Sequence, residues 1–230
     1  MNLFKKLFNR EKKFVLPERY KYLEGKDPTS PINFGIKTSW CAVKCNDAKQ
    51  VESYLNLNNS KECNWIEGTV SAYENGVFIL PAINNWVIIH GSIPSPNTPD
   101  QMLGVDEFIN KLSIKFGEAH LYGNHRVSSS AFWMNSIAGE IRRSYILSDG
   151  EGWGVGEKTE IEKEWDLFNS NSPEAENEKY WDESLIPGED EVLKVAESWS
   201  LNPMKLETMQ VDKSFGFCGK LSKARKFGWR

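Results

Sequence analysis

Two apolar runs, Val77–Leu80 and Trp86–Ile89, are joined by a short segment holding Asn84 and Asn85. Runs this short, rich in Val, Ile and Phe and bounded by Gly, Pro and Asn, signal buried paired strands. Nothing else in the chain is as continuously apolar. This pair therefore predicts a hairpin near the centre of a sheet, and the other segments are read by how they would pack on it.

Residues 37–44 (KTSWCAVK) are a strand candidate. Asp47 stands three residues before Gln50, a capping-box spacing, and Ala48, Val51, Tyr54 and Leu55 follow at helical period, so 47–56 predicts a short helix. Polar residues 58–62 read as a loop. Residues 64–74 read as a second helix with Trp65, Val70 and Tyr73 inward, although Gly68 weakens it. After a Pro-rich loop over 92–104, Val105, Phe108, Ile109, Leu112 and Phe116 form the clearest amphipathic helix, stopped by Gly117. Residues 119–122 and 125–128 suggest a hairpin about Gly123-Asn124. Residues 131–137 and 140–147 are two further strands about Ala138-Gly139.

The glycine-rich stretch 149–156 reads as a flexible turn. A T-x-x-E box from Thr159 to Glu162 predicts a helix over 159–168, and 169–188 reads as irregular. Glu189, Asp190 and Glu191 place negative charge on the first turn of another helix, whose buried stripe is Val192, Val195, Ala196 and Trp199. Asn202-Pro203 starts a shorter one. Strands and helices do not alternate regularly, so the pattern predicts an α+β fold: a mixed, mostly antiparallel sheet with helices packed against it. Its divisions are a basic extended lead-in (1–35), one α+β domain (36–210) whose 149–188 segment is acidic and partly irregular, and a basic aromatic tail (211–230). The aromatics of that tail, Phe215, Phe217, Phe227 and Trp229, leave it either docked or disordered.

Charge is distributed unevenly. Residues 149–191 carry fifteen Asp/Glu against three Lys, whereas residues 1–26 carry eight Lys/Arg against three Glu. Packed like charges repel, so such a tract is either solvated or meets a partner of opposite sign. Residues 1–8 lack the apolar core of a signal peptide. They read as a short basic amphipathic segment able to touch an anionic membrane weakly, and no apolar run approaches the ~20 residues that span a bilayer. A cytoplasmic protein with reduced thiols is expected.

Candidate chemistry is sparse. Cys41 and Cys45, four apart on a strand, lie ~13 Å apart, too far to share a zinc or a disulfide. In the 150–159 stretch Glu157 interrupts the Gly-Lys-Thr order that a phosphate loop needs. Ser128, Ser129 and Ser130 follow His125 without a nucleophile-elbow motif. The chain has three histidines, and so few general bases tuned near neutral pH. The basic end, interleaved with Phe227 and Trp229, carries no recognition motif for nucleic acid. No metal, cofactor or catalytic residue is therefore expected, and an enzyme is not.

Trp40-Cys-Ala-Val43, Asn64-Trp65-x-x-Gly68, Asn85-Trp86 through Gly91, Phe116-Gly117, His125-Arg126-Val127 and Trp199-Ser200-x-x-Pro203 resemble a pattern in uncharacterised bacterial proteins of the toxin-immunity type. The resemblance covers most of the middle of the chain and brings no catalytic residues with it. Together with the acidic tract at 149–191 it suggests an immunity or inhibitor protein that binds a basic partner, such as a secreted toxin domain, and neutralises it by occluding its active site. Acidic and aromatic residues of the acidic segment are the expected contacts: Glu174, Glu176, Glu178, Tyr180, Trp181, Asp182 and Glu183. Charge complementarity speeds encounter and aromatics anchor it. The alternatives are a small hydrolase using carboxylates or His125 in a Trp-lined cleft, and an accessory protein tethered to a membrane by its basic N-terminus.

Overall fold

The computed structural model describes residues 14–96, 99–211 and 215–222. The amphipathic segment predicted at 1–8, and Phe227 and Trp229, lie outside the described residues. Nine strands among the described residues form one sheet: β1 (Ser39–Lys44), β2 (Asn58–Asn64), β3 (Val77–Ile79), β4 (Trp86–Gly91), β5 (Glu118–His125), β6 (Ser130–Ile137), β7 (Glu140–Ser148), β8 (Glu151–Val155) and β9 (Phe215–Lys220). Their spatial order is β2-β9-β3-β4-β1-β5-β6-β7-β8, and every neighbouring pair is antiparallel. Among the described residues five α-helices accompany them: α1 (Ala48–Leu55), α2 (Trp65–Tyr73), α3 (Pro99–Phe116), α4 (Glu178–Glu183) and α5 (Glu189–Trp199). The fold is α+β.

Period-2 alternation sends neighbouring side chains to opposite faces, and both faces are covered. Cys41, Val43, Ile79, Ile89, Leu121 and Met134 pack with Val51 and Leu55 of α1 and with Phe108 and Leu112 of α3. Trp40, Phe78, Ile88, Tyr122, Trp133 and Tyr145 pack with Trp65 of α2 and Val192 and Val195 of α5. Trp40, Trp65 and Trp133 are among the fully buried side chains. The predicted hairpin is β3–β4, with Phe78 opposite His90 and Ile79 opposite Ile89. Asn84 and Asn85 both take positive φ in its turn, the backbone that suits the right-handed twist of a tight hairpin. Asp47 caps α1 through the Lys49 amide (2.9 Å), as its position predicts.

Several segments differ from the sequence expectation. Residues 58–62 belong to β2, which pairs with β9; its side chains are mostly exposed, so no apolar alternation marks it. The Pro-rich loop ends early, because α3 starts at Pro99. Gly123-Asn124 is not a turn: β5 runs through it unbroken, and Arg126–Ser128 forms a 3-10 turn before β6. Asn124 is held in the strand by its own side chain, which accepts from the Lys37 amide (2.9 Å) and donates to the Gly35 carbonyl (2.6 Å). Of the predicted 159–168 helix only a 3-10 turn at Glu160–Glu162 forms. Glycine-rich 151–155 is β8, paired to β7. The lead-in is not extended throughout. Glu18–Leu23 winds into a 3-10 helix, and Tyr20, Leu23, Ile32 and Phe34 enter the core. Residues 215–220 of the tail are docked as β9, between β2 and β3.

Candidate partner-binding site

The acidic segment forms a lobe hung from the outer strands of the sheet. Its root is a buried carboxylate. Glu162 accepts from Thr159 N and Oγ1 (2.9 and 2.6 Å), from Trp133 Nε1 (2.9 Å) and from Arg143 (2.7 Å). Burial pushes its carboxyl up, but the Arg143 and Thr159 bonds outweigh that and hold it below the ordinary range. One of the fifteen acids is thus interior, and structural.

Beyond that root, Leu167 and Phe168 turn into the core. The backbone closes on itself there: Phe168 N donates to Leu185 O (3.0 Å) and Leu185 N to Asp166 O (2.6 Å). Tyr145 OH donates to Phe168 O (2.8 Å), pinning the neck to β7. Within the closed loop, Asn177 caps α4 by accepting from Lys179 N (2.9 Å). The segment read as irregular over 169–188 therefore contains one short helix, placed by that cap and by two aromatics.

Those aromatics are Tyr180 and Trp181. Their rings pack on Phe168, at centroid distances of 5.7 and 4.0 Å. Trp181 Nε1 donates to Ala175 O (2.8 Å), and Asn169 N donates to Tyr180 OH (3.0 Å). Both residues hold the lobe in shape, yet Trp181 keeps 41% of its surface exposed. A concavity of about 620 Å³ opens beside them, lined by Lys158, Asp166, Asn169, Glu174, Lys179 and Glu183, among others.

Glu174, Glu176, Glu178, Asp182 and Glu183 are all exposed. Two are partly satisfied within the lobe: Glu174 accepts from Ser172 Oγ (2.9 Å), and Glu183 pairs with Lys179 (3.4 Å). Glu176, Glu178 and Asp182 have no hydrogen-bond or ion-pair partner among the described residues. The predicted contacts thus gather on one lobe of about ten residues. Three carboxylates without a partner thus share this lobe with the half-exposed Trp181.

The histidines fall elsewhere. His120 and His125 sit five apart on β5, ~16 Å along the strand and on opposite faces of the sheet. His125 is exposed, and its Nδ1 lies 2.9 Å from Ser128 Oγ. The histidine that meets a carboxylate is His120. Its Nε2 lies 2.9 Å from Glu118 Oε1, and its Nδ1 lies 3.1 Å from Tyr122 OH, which in turn reaches Ser200 Oγ at 3.0 Å. Trp86 and Trp199 pack on its ring, at 5.0 and 5.5 Å. The spacing Glu118-x-His120-x-Tyr122 places all three on one face of a strand, a signal the motif reading passed over. With His120 at 1% exposure, this relay fixes the end of α5 against β5.

Among the described residues, no group of three or more His, Cys, Asp or Glu is placed to hold a metal, and no helix is long and apolar enough to cross a membrane. No family model, curated protein or solved structure gives a match to this chain.

Proposed function

We propose that the chain is a binding protein of the immunity or inhibitor type, which holds a basic protein domain against the lobe closed between residues 166 and 185. The observation that carries this reading is the set of unpaired carboxylates Glu176, Glu178 and Asp182 on the same lobe as the exposed Trp181, a lobe tied to the core at Phe168. Carboxylates left unpaired by their own fold repel one another and gain by meeting cations. A shaped lobe gives them a fixed geometry, so little ordering cost falls on binding. Trp181 supplies the kind of half-exposed aromatic that anchors an interface. Occlusion follows from charge: the carboxylates take the place of a phosphate-bearing substrate on a basic partner domain.

The test is a parallel affinity capture from the source cells, with the wild-type chain and a Glu176→Lys, Glu178→Lys, Asp182→Lys variant as baits. A basic protein retained by the wild type, released by raised salt and absent from the variant is the expected result. Identical captures from both baits, at low and high salt alike, would remove the lobe as the binding surface.

A further inference from the structure

A second cavity, far from the acidic concavity in its chemistry, lies at the ends of four neighbouring strands. It measures about 320 Å³ and is lined by residues of β1, β5, β6 and β7 with the turns that adjoin them. The register explains why it is there. Ser39 is opposite Gly123, Gly123 is opposite Phe132, and His125 is opposite Ser130. By the period of two, Ser39, His125, Ser130, Phe132 and Ser148 project from one face, the face that α1 and α3 cover further along the same strands. A side chain at Gly123 would collide with the Phe132 ring and lie 2.8 Å from Ser39 Oγ. The missing Cβ lets Phe132 lie across the floor.

The polar groups are matched to a particular ligand. Lys37 brings an ammonium with no carboxylate partner among the described residues. Its turn is held by Asn124, which accepts from the Lys37 amide. Ser39 and Ser130 add hydroxyl donors at the mouth. His125 Nδ1 lies 2.9 Å from Ser128 Oγ, which also reaches the His125 carbonyl (3.2 Å), so Nε2 is the ring nitrogen left for a ligand. Asp149, on the opposite rim, is an acceptor. One cation and several donors suit an anionic group; an imidazole nitrogen and a carboxylate across the cavity suit hydroxyls; the Phe132 ring suits a carbon skeleton.

We infer that this cavity binds a small phosphorylated polyol of sugar-phosphate size, its phosphate at Lys37 and the serine hydroxyls and its own hydroxyls on His125 Nε2 and Asp149. The volume is at the lower end of ligand cavities, too small for a peptide or a dinucleotide. A wholly apolar ligand would strand the hydroxyls without partners, at a cost for each. Inorganic phosphate alone would leave Asp149 and the ring unused.

The experiment is a titration of the full chain, followed by amide chemical shifts, with glucose 6-phosphate, ribose 5-phosphate and 6-phosphogluconate as probes and glucose and inorganic phosphate as controls. Lys37→Asn and Asp149→Asn are the variants, since Asn tolerates the positive φ both positions adopt. Shifts confined to residues around Ser39, Gly123 and Ser130, with affinity for a sugar phosphate reduced about tenfold or more by each variant, are the expected result. An unchanged pattern of all other amides shows that the variants fold. The inference is overturned if no sugar phosphate shifts these amides by about 10 mM ligand. It is equally overturned if phosphate alone binds as well, or if neither variant weakens the complex. Triple charge reversal in the acidic lobe leaves this titration unchanged, so the two sites are separable.

Discussion

Arg143 on β7 and Glu162 at the root of the acidic lobe form a buried ion pair, 2.7 Å apart, with side chains 6% and 0% exposed. The guanidinium also donates to the Val155 and Gly156 carbonyls (3.3 Å each). One residue pair thereby joins β7, the end of β8 and the start of the lobe. A buried charge without its partner is costly, so Arg143→Met alone or Glu162→Gln alone should lower the free energy of unfolding by about 3–5 kcal/mol. The double variant should lose less than the sum of the two. Urea unfolding of the three variants checks this; additive losses would show that the residues act separately.

Acid should weaken the protein in a defined window. Burial holds His90 down to about 3, and burial also lowers His120, against the opposing pull of Glu118. Glu118 sits at about 2, chiefly because His120 and then Lys44 bond to it, against the opposing effect of burial. All three have folded values below their unfolded ones, so the unfolded chain takes up protons first. Their stability is fully present above about pH 6.5, the ordinary value for histidine, and is lost as pH falls toward 2. Unfolding free energy measured from pH 8 to pH 3 should be level at the top and decline below. Glu118→Gln should flatten the part of the decline below pH ~4.5. A level profile across the whole range would contradict the assignment.

Gly68 offers a test with a clear sign. An exposed helical Gly→Ala change ordinarily gains up to ~1 kcal/mol. Here a Cβ at position 68 would run into the face of the Phe78 ring, where α2 crosses β3. Gly68→Ala should therefore destabilise, by about 1–3 kcal/mol as overpacking does. Pairing it with Phe78→Leu should recover part of the loss. A rise in melting temperature for the single variant would mean that α2 does not press on β3.

Trp181 separates shape from contact. Trp181→Ala removes both the Phe168 packing and an exposed anchor, whereas Trp181→Phe keeps the packing and loses the bond to Ala175 O. Near-UV circular dichroism should change for the alanine variant and remain near wild type for phenylalanine. If the alanine variant leaves the spectrum unaltered, the lobe is not shaped by this ring.

What could be read in the sequence, and what could not, follows from burial. The β3–β4 hairpin, α3 and α5 are legible because each buries a continuous face, and a buried face leaves a period in the residues. β2 buries little beyond Cys63, so its residues are free to be polar and read as a loop. β9 has two glycines in six residues, and its partners lie more than 130 positions earlier; no local pattern announces a pairing of that range. Gly123-Asn124 reads as a turn by residue preference, and is overruled by the bonds Asn124 makes to residues 35 and 37. The acidic lobe was visible as composition, but its ordering depends on Phe168 and Tyr145, which composition does not reveal. The Glu118–His120–Tyr122 relay needed only the alternation of one strand, once β5 is recognised as continuous.

The place of β9 in the sheet has a consequence for biosynthesis. Its slot lies between β2 and β3, strands that leave the ribosome well over a hundred residues before it. Until β9 is made, β3 lacks its pairing on that side and β2 lacks its strand partner among the described residues, and unpaired edges of this kind invite pairing with a foreign chain. Closure of the sheet on this side therefore waits for the last of the described strands.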